Sequence, residues 1–242
     1  MNTAKTRFIT LLVSFMLMAV AVFGQTNIVP WNDDFERYTN GTPLVGGLFS
    51  TNNGVTFETN GWYASTTQVM AQTAVSYLGA KSAIIPVDAY LPNRITGAAA
   101  SNVWMQFYVN VQRYDGEYYP DVDTNLASFF FVNSNGYFVV PDGPVVPETN
   151  WFVLSTTASG DPATPVGADW VRVDIFHNYT NCTWSLFASA VQMAENIGFV
   201  NTNLNALQEF SFSNPVAILA LYVHTAFALS SDREKNSISL QF

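Results

Sequence analysis

The chain has 242 residues, of which 49% are hydrophobic, 15% aromatic and only 11% charged. Disordered chains show the opposite balance, so a packed core is expected. The formal net charge of −9 repels phosphate backbones and argues against nucleic acid as a partner, and a single cysteine, Cys182, excludes an internal disulfide.

Lys5 and Arg7 precede an apolar run, Phe8–Phe23, broken only by Thr10 and Ser14. Val22 and Gly24 then stand at the −3 and −1 positions of a cut before Gln25. A charged start, an apolar middle and a small-residue exit make a secretory signal peptide over residues 1–24. The run falls short of the roughly 20 residues that span a bilayer. Export places the remaining domain, residues 25–242, outside the cell or in the cell envelope. That domain holds seven basic and 18 acidic residues, a net charge near −11. It is long enough to bury about 70% of its unfolded surface as one unit.

Helical periodicity is scarce from Gln25 onward, while period-two alternation and turn signals recur. Val103, Met105, Phe107 and Val109 alternate with Trp104, Gln106, Tyr108 and Asn110, which predicts a strand with one core face and one wetter face. Ser128–Val132 and Tyr137–Val140 flank Asn133-Ser134-Asn135-Gly136, a hairpin signal because Asn and Gly tolerate positive φ. Pro141–Pro144 turns the chain again and Trp151–Ser155 supplies a third strand, completing a meander. Over Trp170–Asn178, Val171, Val173 and Ile175 alternate with Trp170, Arg172, Asp174 and Phe176. A polar turn, Asn178–Thr183, leads into Thr183–Phe187, so a second hairpin is expected with Cys182 tucked beneath it. Ser189–Asn196 fits either a helical turn or a short strand. Val216–Leu229 is nearly all apolar, apart from residues such as His224 and Thr225, and fits a buried terminal strand or a short anchor. The expectation is an all-β protein of two antiparallel sheets packed face to face, with no transmembrane span in residues 25–242.

The segment Asp33-Asp34-Phe35-Glu36-Arg37-Tyr38-Thr39-Asn40-Gly41-Thr42-Pro43-Leu44, with Gly61-Trp62 after it, resembles the start of bacterial LamG-like jelly-roll domains. Val103–Val109, Phe130–Phe138 and Trp170–Phe199 follow in the order of that family, whose fold is the concanavalin A-like lectin/glucanase sandwich. The resemblance covers Asp33 to Ser213 and implies a jelly roll. Two places depart from the pattern. Ala188-Ser189-Ala190 stands where such domains usually carry Asn-Gly or Asp-Gly, and the closing strand lacks its usual acidic residues. By the resemblance, that strand would close the sheet beside Asp33–Tyr38.

Enzymes of this fold use paired carboxylates in an E-x-D-x-E strand, where acid and nucleophile flank a glycosidic bond. That pattern is absent; Asp33, Asp34 and Glu36 cluster near the start, and Arg172 and Asp174 read as a surface ion pair. No G-x-S-x-G, H-E-x-x-H, P-loop or dinucleotide fingerprint occurs. Asp121, Asp123 and Asn125 alternate as oxygen ligands suited to calcium, without the Gly and Glu of an EF-hand. The wetter strand faces remain. Trp104, Gln106, Tyr108 and Asn110, extended by Trp170, Arg172 and Asp174, offer aromatic plates for sugar rings and polar arms for hydroxyls. The expected function is a non-catalytic binding module for carbohydrate or the cell envelope. A secreted glycoside hydrolase and a structural surface or matrix protein are the alternatives.

Overall fold

The computed structural model describes residues 27–28, 33–45, 48–50, 57–59, 62–96, 101–110, 124–144, 151–155, 164–166, 169–214 and 219–222. The segment 1–24, Asp121, Asp123 and His224 lie outside them. The strands in chain order are β1 (Asn27–Ile28), β2 (Leu48–Ser50), β3 (Phe57–Thr59), β4 (Met70–Gln72), β5 (Ser82–Ile85), β6 (Ala89–Thr96), β7 (Asn102–Asn110), β8 (Phe131–Val132), β9 (Phe138–Pro141), β10 (Trp151–Leu154), β11 (Trp170–Asn178), β12 (Thr183–Ala188), β13 (Val191–Gly198), β14 (Glu209–Asn214) and β15 (Leu219–Tyr222). No α-helix occurs among the described residues.

Seven strands form one sheet in the order β13-β12-β11-β7-β15-β5-β4, each neighbouring pair antiparallel. Two three-stranded sheets, β1-β6-β14 and β10-β9-β8, contribute to the same core. Phe107 of β7 joins the layers: its ring meets Phe212 of β14 edge-on at 4.9 Å and Phe130, just before β8, at 6.4 Å. The fold is an all-β sandwich, as the alternation predicted, and among the described residues β1 pairs with β6 in parallel.

The alternation of β7 is realised residue by residue: Val103, Met105, Phe107 and Val109 are buried, and the residues between them are half-buried. Burying each such apolar side chain stabilises the fold by about 1.5–3 kcal/mol. The meander β8-β9-β10 forms as expected, with each strand shifted or shortened at its ends: Ser128–Phe130 precede β8, and Pro141 belongs to β9. Its first turn differs from the expectation in detail. Only Gly136 takes a positive φ, 85°, while the Asn133 side chain accepts from the backbone N–H of Asn135 and Tyr137. A three-residue loop ending in a left-handed glycine fits that pattern.

Ser189–Asn196 resolves as turn and strand. Ser189 and Ala190 form a two-residue turn between the paired Ala188 and Val191, with φ of 49° and 68°. This is the tight turn that matches strand twist, built here without Asn or Gly. Cys182 also has a positive φ, 52°, in the β11–β12 turn, and its Sγ lies 3.3 Å from the carbonyl oxygen of Thr202.

The closing strand is a correction to the family expectation. β15 lies between β5 and β7, with Leu221 opposite both Ala83 and Val109. It does not lie beside Asp33–Tyr38, which is a turn. Among the described residues no helix is long and apolar enough to cross a membrane.

The Asp33–Tyr38 turn is a buried knot. Asp33 is 3% exposed; its Oδ1 accepts from the N–H of Phe35, and its Oδ2 accepts from Tyr38 Oη at 2.7 Å, Trp62 Nε1 at 2.9 Å and Arg37 Nη2 at 3.0 Å. Phe35 is thereby held at φ 62°, its buried ring stacked 5.7 Å from Trp62. Burial, then the Asp33 charge, drives the Tyr38 hydroxyl far above the ordinary tyrosine range. These residues, singled out in the sequence, are held here by packing and hydrogen bonding.

Candidate functional site

The antiparallel pairing of β7 with β11 sets Trp104 opposite Phe176, Gln106 opposite Asp174, Tyr108 opposite Arg172 and Asn110 opposite Trp170. Directly opposed residues point to the same face. All seven candidates, Trp104, Gln106, Tyr108, Asn110, Trp170, Arg172 and Asp174, therefore gather on one face of the seven-stranded sheet, opposite the core set.

The middle of this face is polar. Asp174 Oδ1 accepts from Gln106 Nε2 at 2.6 Å and from both Nε and Nη2 of Arg172 at 3.0 Å. The expected surface ion pair is thus half sunk: the Arg172 side chain is 38% exposed and that of Asp174 only 8%. Neighbouring β-strand register, not chance, fixes this triad, since Gln106 and Asp174 are cross-strand partners and Arg172 sits two residues from Asp174 on the same face.

Aromatic rings flank the triad on both sides. On one side Trp104 packs against Phe176 at 4.7 Å and Phe187 at 5.5 Å. Phe187 comes from β12, where it pairs with Asp174. On the other side Tyr77 stacks on Tyr108 at 4.1 Å with planes 19° apart, and lies 6.0 Å from Trp170. Burial, and then Tyr77, raises the Tyr108 hydroxyl above the ordinary tyrosine value. Tyr77 itself remains 40% exposed, so it presents the outer ring of the stack.

Tyr77 was not among the sequence candidates. It comes from the β4–β5 loop, which has no alternation to place a side chain. Its anchoring is visible only in three dimensions. The Glu36 carboxylate accepts from the N–H of Ala80 and Lys81, and Lys81 Nζ donates to the Glu36 carbonyl at 2.6 Å. Gln72 Oε1 accepts from Val75 N–H at 3.0 Å, and Gln72 Nε2 bonds Ser82 Oγ. Gly79, at φ 71°, lies so close to Glu36 that a Cβ there would collide with its carboxylate. The one sequence sign was an aromatic residue two positions before a glycine, Tyr77 and Gly79. Phe187 was legible in principle, because Ser185 and Phe187 alternate with the core residues Trp184 and Leu186.

The other candidates do not join this face. Of the calcium candidates only Asn125 is described, and its Oδ1 accepts from Asn201 Nδ2 at 3.1 Å. Among the described residues no group of three or more His, Cys, Asp or Glu could hold a metal ion. His177 lies on the opposite, core face of β11, between Val103 and Trp184. It is 1% exposed, its Nε2 meets Ser128 Oγ at 2.7 Å, and burial drives its pKa down to about 3. Such an imidazole stays neutral and is poorly suited to take a proton.

No family model matches the chain, and no curated protein sequence matches it. Solved structures are similar in shape. The binding domain of Paraclostridial Mosquitocidal Protein 1 is similar at TM-score 0.47 and 13% identity, over 78% of this chain and 49% of that one. A sialidase is similar at TM-score 0.48 and 8% identity, over 72% of this chain and 17% of that one. Domain 4 of AbnA, a GH43 extracellular arabinanase from Geobacillus stearothermophilus in complex with arabinotriose, is similar at TM-score 0.33 and 13% identity, over 72% of this chain and 89% of that one. The chain thus spans about half the length of the mosquitocidal binding domain and a small part of the sialidase.

Proposed function

We propose that this chain is an exported, non-catalytic module of LamG-like jelly-roll type whose seven-stranded sheet binds carbohydrate on its outer face. The observation that carries the reading is the Tyr77–Tyr108 stack with Trp170 beside it, next to the Gln106–Asp174–Arg172 network. Sugar rings need just this pairing: flat apolar surface for their C–H faces, and donors and acceptors held at its edge for their hydroxyls. The polar arms are pre-set by their own hydrogen bonds, which lowers the ordering cost of binding. The tight Trp104–Phe176–Phe187 cluster is suited to bracing the polar network from one side, and Tyr77 and Trp170 to meeting the ligand.

A glycan array with the full exported chain tests this. Binding should weaken by about tenfold in Tyr77→Ala and in Trp170→Ala, with thermal unfolding unchanged. Failure of the unaltered protein to retain any glycan, or full retention by both variants, would sink the proposal.

A further inference from the structure

Asp174 holds a spare acceptor. All three of its bonds fall on Oδ1, and among the described residues nothing bonds Oδ2 although the residue is only 6% exposed. Arg172 is the matching spare donor. Its Nε and Nη2 are committed to Asp174, while Nη1 bonds no described residue, and a guanidinium has five N–H groups to give. The two free ends belong to residues paired opposite Gln106 and Tyr108, so they lie at the edge of the Tyr77–Tyr108–Trp170 plates.

We infer that this face takes neutral saccharides presenting two adjacent hydroxyls, one donating to Asp174 Oδ2 and the other accepting from Arg172, and that it rejects uronic-acid and sulfated sugars. The inference rests on the carbohydrate reading above and adds the ligand class. Its physical basis is local charge. A lone arginine among aromatic rings would welcome a carboxylate, but Arg172 is already neutralised by Asp174 at 3.0 Å. A second anion would face the unbonded Oδ2 of Asp174 and a chain of net charge −9. Like charges placed across an interface penalise the wrong partner more than they weaken the right one. A neutral diol meets no such charge, and it satisfies both the buried acceptor and the free donor.

The test uses the full chain with neutral hexose oligosaccharides and their matched uronic-acid oligosaccharides, measured by calorimetry. The neutral member of each pair should bind at least about tenfold more tightly. Methylating either of the two adjacent hydroxyls should abolish that binding. Asp174→Asn keeps an oxygen for Arg172 and Gln106 while replacing the spare acceptor by a donor and removing the charge; it should erase the preference. Equal or tighter binding of the uronic acid by the unaltered protein overturns the inference and leaves the carbohydrate face standing. An undiminished preference in folded Asp174→Asn overturns the assignment to Asp174. No binding of either class brings down the carbohydrate reading itself.

Discussion

His177 makes the stability of this protein depend on pH in a way that one substitution can isolate. The imidazole is buried at 1% exposure, and desolvation lowers its pKa from 6.5 to about 3. Above pH 6.5 it is neutral both folded and unfolded, and its contribution to stability is fully present. Below that value the unfolded chain gains a proton that the folded chain refuses, down to about pH 3. Stability therefore falls with acid across that window by about 1.4 kcal/mol per pH unit. From pH 7 to pH 5 the loss is about 2 kcal/mol, a sizeable part of the roughly 5–15 kcal/mol of a typical domain. His177→Gln can still donate to Ser128 Oγ but does not titrate. Urea unfolding of both proteins at pH 7 and pH 5 reads the difference, in which the carboxylates and His224 cancel. The unaltered protein should lose about 2 kcal/mol more than the variant. Parallel losses in the two proteins would refute the buried, neutral histidine.

Other substitutions probe the backbone. Ser189→Asn with Ala190→Gly suits the positive φ at both turn positions and should raise the unfolding free energy by about 1 kcal/mol in urea titration. Gly79→Ala must accommodate both φ 71° and the Glu36 carboxylate; it should cost about 1–2 kcal/mol and weaken glycan binding by displacing Tyr77. Asp33→Ala removes the buried acceptor shared by Trp62 Nε1 and Tyr38 Oη and should cost about 3 kcal/mol, read as a lowered urea midpoint.

The parts of the fold that were legible in sequence are those whose period is local. The alternation of Val103 to Asn110 set both the strand and its two faces, and the same pattern over Trp170–Phe176 placed Arg172 and Asp174 on a common side. What sequence could not show is which strands become neighbours. Gln106 meets Asp174 only because β7 and β11 pair in one register out of several possible ones. Tyr77 reaches Tyr108 on a loop that Glu36, some 40 residues away in sequence, helps to pin. The Ser189-Ala190 turn was obscured for a related reason. Neither residue favours positive φ, but pairing of Ala188 with Val191 leaves the two residues no other path. Val216–Leu229 read as a terminal strand or an anchor, and nothing in an apolar run distinguishes a sheet edge from its centre, where Leu219–Tyr222 lies.

The central seat of β15 has a consequence for the order of events during synthesis. β5 and β7 each present one open edge until residues 219–222 arrive, and those edges are joined by nothing else in the seven-stranded sheet. A chain emerging from N- to C-terminus can pair β4 with β5, and β7 with β11 to β13, long before it can unite the two halves. β15 acts as a keystone, zipping both flanks at once through contacts with partners more than 100 residues earlier. Pairings so distant form slowly, and the waiting edges are templates for other chains. Shielding those two edges until β15 docks is therefore the step at which production of this protein is most exposed to aggregation.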